Sequence, residues 1–145
     1  MAGVELLDLE AALIPEAAGL LAQCHHPADP VAHLPACVAT LQRLLQTKEV
    51  RFILARPAGF IALTWGFSVS RGMPILRVQD LFVVPENRRG GVAQALLRRA
   101  LEVARERGAN RLHLETDTAN AAARSLYEKV GFEWFPRREV YMYFL

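Results

Sequence analysis

The chain has 145 residues, 52% of them hydrophobic and 22% charged, with a formal net charge of +2. That size suits one compact domain able to build its own core, and so small a charge gives no reason to expect nucleic acid as a partner. No apolar run is long enough to span a bilayer, and the opening Met-Ala-Gly-Val-Glu lacks the basic and apolar stretches of a secretory signal, so the expectation is a cytoplasmic protein with no membrane partner.

In chain order, Val4 to Asp8 reads as a short strand, Glu10 to Gln23 as a helix and Ala36 to Gln46 as a second helix. Between the helices, Pro27, Pro30 and Pro35 suggest a loop. That segment also holds Cys24, His25, His26, His33 and Cys37, but their spacing matches no zinc pattern, so no metal is expected. A disulfide is not expected in a reducing compartment. Apolar arms at Val50 to Ala55 and Phe60 to Val69 flank Arg56-Pro-Ala-Gly59, which has the composition of a tight turn. Arg71-Gly-Met-Pro74 then turns the chain into Ile75 to Val84, which predicts a three-stranded antiparallel meander.

From Val92 to Arg107, positions 92, 93, 96, 97, 100, 101, 103 and 104 are aliphatic and share one side of a helical wheel. Gly108 supplies the stop. Arg111 to Thr116 alternates as a half-polar strand, Asn120 caps a further helix to Val130, and Phe132 to Trp134 with Val140 to Phe144 predicts a closing pair of strands. The strand, helix, strand run from Ile75 to Thr116 is a crossover, which makes its strands parallel and the sheet mixed. Arginines at 88, 89, 98, 99, 105, 107 and 111 mostly belong to a solvated helix face and lack the aromatic interleaving of a nucleic-acid stripe.

At the strand-to-helix junction, residues 88 to 93 read Arg-Arg-Gly-Gly-Val-Ala. Two glycines there allow successive N–H groups to point into one concavity at a helix N-terminus, where an anion is favoured. A simple turn that needs glycine is the competing reading. A Walker loop is excluded, because no Gly-Lys-Ser or Gly-Lys-Thr follows.

Arg88-x-x-Gly91-x-Ala93 resembles the acyl-CoA signature of the GNAT N-acetyltransferases, Gln/Arg-x-x-Gly-x-Gly/Ala. A second block, from Leu114-Glu-Thr-Asp through Asn120 to Leu126-Tyr-Glu-Lys-Val-Gly-Phe132, resembles the family's strand, Asn-containing loop and Leu-Tyr-x-x-x-Gly-Phe helix. The likeness covers residues 76 to 132 and implies a single N-acetyltransferase domain over 1 to 145. Its fold class would be α/β (α+β), a mixed, mostly antiparallel sheet splayed at its centre and flanked by about four helices. It also implies acetyl-CoA as co-substrate. Leu81, Phe82 and Val83 would offer backbone groups to the pantetheine arm, and Arg88 with the amides of Arg89, Gly90, Gly91, Val92, Ala93 and Gln94 would cradle the pyrophosphate. Asn120 would hydrogen-bond the cofactor and Tyr127 would stand near its sulfur. The same residues have plainer readings, as a buried strand and a helix cap.

A departing thiolate needs a proton, and a phenol titrating near ~10 suits the role, so Tyr127 is the expected general acid. The attacking amine must first lose a proton, which calls for a carboxylate acting directly or through water. Glu115 matches the base position of relatives resembling ribosomal-protein N-terminal acetyltransferases and is favoured. Asp80 is the rival: it shares strand parity with Leu76, Val78 and Phe82, so without a bulge it would interrupt an apolar face. Gln79 departs from the acidic pair of polyamine-acetylating relatives. The expected reaction moves acetyl from acetyl-CoA to a primary amine of a small molecule by direct attack, with no metal required. The alternatives are a protein N-terminal or lysine acetyltransferase, with a peptide amine as acceptor, and a non-catalytic acyl-CoA-binding module. The Val-Tyr-Met-Tyr-Phe end suggests a homodimer.

Overall fold

The computed structural model describes residues 4–145; Met1, Ala2 and Gly3, part of the opening read for a secretory signal, lie outside the described residues. The chain divides into two compact units, one running through Glu115 and the other from Thr116 to Leu145.

In the first unit, strands β1 (Glu5–Asp8), β2 (Val50–Arg56), β3 (Gly59–Ser68), β4 (Met73–Val83) and β5 (Leu112–His113) form one sheet in that order. Pairing is antiparallel from β1 to β4, and β5 joins β4 in parallel, as the crossover requires. Helices α1 (Ile14–His25) and α2 (Leu34–Leu44) stand between β1 and β2, and α3 (Val92–Glu106) is the crossover. In β2, Phe52, Ile53, Leu54 and Ala55 are all buried, and a run without polar alternation means that both sheet faces are covered. The ring of Phe52 stacks on that of Phe60 at 4.6 Å. The helical stripe read from α3 goes inward through Val92, Leu96, Leu97, Ala100, Val103 and Ala104. No helix among the described residues is long and apolar enough to cross a membrane.

Several expected boundaries move. The first helix is entered through a 3-10 turn at Ala11–Leu13, and the proline-marked loop is shorter than expected. A 3-10 turn at Val31–His33 runs into α2, whose first turn accepts Pro35 because the missing N–H would have had no helical partner. The strand expected over Arg111 to Thr116 contracts to Leu112–His113.

In the second unit, α4 (Ala121–Val130) is capped as expected, with Asn120 Oδ1 accepting from the Ala123 N–H at 3.1 Å and Gly131 closing it at φ 115°. The closing strands expected at Phe132 to Trp134 and Val140 to Phe144 do not form. Between them lie Pro136 and a turn in which the Arg138 N–H donates to the Phe135 carbonyl, and a lone two-stranded ribbon is marginal in water. Tyr141, Tyr143 and Phe144 stay 92%, 90% and 85% exposed.

Gly59 pairs with Val83 at the start of β3, and a Cβ placed there would overlap the Phe82 carbonyl oxygen. Gly59→Val should therefore cost about 1–3 kcal/mol of stability through backbone displacement, measured by urea unfolding. Parental stability would show that β3 and β4 do not approach this closely.

Candidate active site

The register of β3 and β4 slips once. Ala62 lies opposite Asp80 and Leu63 opposite Val78, which leaves Gln79 without a partner. Residues directly opposite each other point to the same side, so the bulge puts Leu76 and Val78 with Trp65 and Leu63, while Asp80 and Phe82 share the other side with Ala62 and Phe60. Asp80 is thereby released from the apolar set that strand parity had placed it in. Its Oδ2 lies 3.1 Å from Nε2 of His25, the last residue of α1. The donor atoms of Cys24, His25 and Asp80 all fall within 4.8 Å of one another. Burial pushes the Cys24 thiol up to about 11, with the Asp80 charge adding to the shift and Arg88 opposing it.

The β4–β5 ladder has two rungs, Leu76 with Leu112 and Arg77 with His113. It stops just ahead of the bulge, which disturbs the spacing a parallel partner needs. From Val78 to Val83 no strand pairs with that edge of β4 among the described residues, so the sheet splays there as expected. Leu81, Phe82 and Val83 keep β3 as partner on their other edge.

Beyond β4, a 3-10 turn at Pro85–Asn87 leads into the glycine-rich turn. Arg88, though exposed, folds back on the strand: its Nε–H donates to the Val83 carbonyl at 2.8 Å and its guanidinium lies 5.9 Å from the Phe82 ring centre, which ties the turn to the strand end. Arg89 at φ 68° and Gly91 at φ 85° both take the left-handed conformation. Gly91 is the N-cap of α3 and carries no side-chain cap, so the N–H groups of Val92, Ala93 and Gln94 have no helical acceptor. With Arg89, Gly90 and Gly91 they form a cradle suited in charge and backbone conformation to the diphosphate that the signature implies.

Glu115 stands just past β5, where Arg77 donates to its Oε1 at 2.8 Å. Neither His25 nor Arg77 was singled out for proton chemistry by sequence reasoning. Consecutive Cys24 and His25 enter the sequence reading only as metal ligands, and parity marks Asp80 as out of phase in its strand without pointing to a partner.

In the second unit, Tyr127 is part-buried, with its ring 5.8 Å from that of Phe132. Burial raises its pKa, which keeps the phenol protonated. The Asn120 Oδ1 is engaged by α4, leaving its amide nitrogen as the group open to a ligand.

The pattern of the acetyltransferase (GNAT) family matches residues 21–132. The chain belongs to that family, and it is an acyltransferase of the N-acetyltransferase kind. It is 36% identical over 104 residues to the uncharacterized N-acetyltransferase YhfO of Bacillus subtilis, covering 69% of this chain and 70% of that protein. It is 39% identical over 75 residues to streptothricin acetyltransferase of Streptomyces lavendulae, covering 52% of this chain. The match spans only 38% of the streptothricin enzyme's length. A crystal structure described as a probable acetyltransferase superposes with a TM-score of 0.87 at 25% identity, covering 97% of each chain. The family implies acetyl-CoA as the acyl donor.

Gly91→Glu should bring a side chain and a like charge into the cradle and strain the left-handed N-cap, lowering CoA affinity by at least about tenfold in titration calorimetry. A folded variant that binds CoA as the parent does would remove the turn from the binding site.

Proposed function

We propose that residues 1 to 145 act as one domain that transfers the acetyl group of acetyl-CoA to a primary amine of a small molecule by direct attack. The observation that carries this reading is the pairing of an uncapped, left-handed cradle at the start of α3 with the unpaired edge of β4 directly before it. One feature suits a diphosphate and the other an amide-bearing arm, and they adjoin in the sequence as the two parts of CoA adjoin in the molecule. Leu81, Phe82 and Val83 serve the arm, Arg88 through Gln94 the diphosphate, and Asn120 lends its free amide. A small-molecule acceptor is supported by the likeness to the streptothricin enzyme. A cytoplasmic location fits the two free thiols, Cys24 and Cys37, and the exposed Tyr141 and Tyr143 suit a homodimer contact.

In this reaction the attacking nitrogen forms the C–N bond as the carbonyl electrons move to oxygen. The C–S bond then breaks with its electron pair on sulfur. Tyr127 supplies the proton that sulfur takes, and its phenol, held neutral by burial, is ready to donate at physiological pH. Glu115 and Asp80 are the carboxylates offered to the amine's proton, the first held by Arg77 and the second by His25.

Tyr127→Phe should retain CoA binding and lower kcat by about 10²-fold or more. Because the phenol pKa is raised in the folded protein, the protonated acid persists to higher pH, and the parent's kcat should fall on the alkaline side only above ~10. Parental turnover in the variant would leave Tyr127 as a packing residue. Release of CoA thiol, followed with benzylamine, streptothricin and a peptide with a free N-terminal alanine, tests the acceptor class; a preference for the peptide would favour the protein-directed reading.

A further inference from the structure

Among the ionisable groups of the first unit, His25 and Asp80 form a pair that the acyl-donor site does not employ. The Asp80 side chain is 29% exposed and that of His25 45%, so the pair lies at the surface of the α1 side of the sheet without being fully solvated. An ionised carboxylate only accepts hydrogen bonds. The 3.1 Å contact therefore places the imidazole proton on Nε2 and leaves the lone pair on Nδ1. No protein group among the described residues takes up Nδ1. Asp80 directly precedes Leu81 to Val83, the edge assigned to the pantetheine arm, so the pair is tethered by sequence to the place where the thioester would lie.

We propose that His25, through Nδ1, is the base that receives the proton of the acceptor amine, and that Asp80 is a positioning residue that fixes the imidazole's tautomer and orientation. The inference rests on the acetyl-transfer reading and assigns within it a group that neither signature contains. Competing bases are less free. Glu115 is committed to the permanently charged Arg77, and the Asp80 oxygen nearest the helix is committed to His25. The other ionisable groups around the pair are Cys24 on α1, Arg88 on the turn, and the His26 and His33 rings, 3.6 Å apart. The Cys24 thiol, pushed up to about 11 by burial, adds no negative charge near neutral pH, and His26 is lowered by desolvation and by the charges of His33 and His25.

The proton balance closes. An alkylammonium passes one proton to Nδ1, giving an imidazolium that Asp80 stabilises, and the freed nitrogen lone pair makes the C–N bond. As the C–S bond breaks, Tyr127 protonates the sulfur, and the second proton lost by nitrogen passes through solvent to restore the Tyr127 phenol. His25 returns its proton to water, so each turnover releases one proton to solvent.

The test uses the full chain in EDTA, which keeps divalent metals off the Cys24, His25 and Asp80 donors, with the best of the three amines named above. His25→Gln should lose the enzyme-derived acid limb of the kcat/KM profile, keep the limb due to the substrate ammonium, and fall about 10²-fold at neutral pH with CoA affinity unchanged. Added imidazole should restore part of the rate to His25→Ala, which a purely structural histidine would not allow. In nitrogen-15 spectra the parent should show the Nε2-protonated tautomer and Asp80→Asn should lose that bias. An unchanged profile in His25→Gln, or no rescue in His25→Ala, overturns the assignment of His25 while leaving acetyl transfer intact. A parent that acetylates none of the amines overturns both.

Discussion

Strand β4 carries one more residue than β3 can pair, and the facing of Asp80 follows from that mismatch. With unbroken pairing, Asp80 would point with Leu76 and Val78, at 0% and 8% exposure, and a carboxylate among them would have to be neutralised or solvated. Leaving Gln79 unpaired reverses the facing of everything after it. Asp80 then meets His25, and Phe82 joins Phe60 and Phe52 in a run of aromatic contacts. The β5 ladder ends after Arg77, just ahead of the same irregularity, and the edge from Val78 to Val83 stays unpaired. One bulge thus turns a carboxylate from one covered face to the face where His25 meets it, just beyond the last rung of the β5 ladder.

The turn after β4 is built against local preference. A left-handed Arg89 costs on the order of 1 kcal/mol that glycine would not incur, and Gly91 in place of a side-chain cap costs about 0.3 kcal/mol. Arg88 offsets part of this by donating to the Val83 carbonyl. What results is a row of amides with no acceptor of their own. A helix N-terminus contributes at most ~2 kcal/mol toward a bound anion, so in the proposed reading the β4 edge shares in holding the donor.

Much of this was legible in the residues. The apolar stripe from Val92 onward marked α3 to within a residue, and Asn120 and Gly131 marked the ends of α4, because helix period and capping are local properties. The parallel crossover followed from the order strand, helix, strand. Register was not legible, since a bulge belongs to two strands at once: parity alone flagged Asp80 as misplaced without saying how it is accommodated. Arg111 to Thr116 alternates correctly yet pairs only at Leu112 and His113, because the partner, not the alternation, decides where a ladder stops. The closing strands failed for a related reason, as alternation in Val140 to Phe144 predicts compatibility with a sheet and not the presence of one. The His25–Asp80 contact joins residues 55 positions apart by their numbering and had no local signal.

In the proposed function, the unpaired β4 edge and the amides of the following turn form one continuous site for the acyl donor. Backbone amide spectra recorded while CoA is added to the nitrogen-15-labelled protein test it most directly. The largest shifts should fall at Leu81 to Val83 and at Arg89 to Gln94, saturating together at one CoA concentration. Shifts confined to the turn, or two groups of residues saturating at different concentrations, would contradict it.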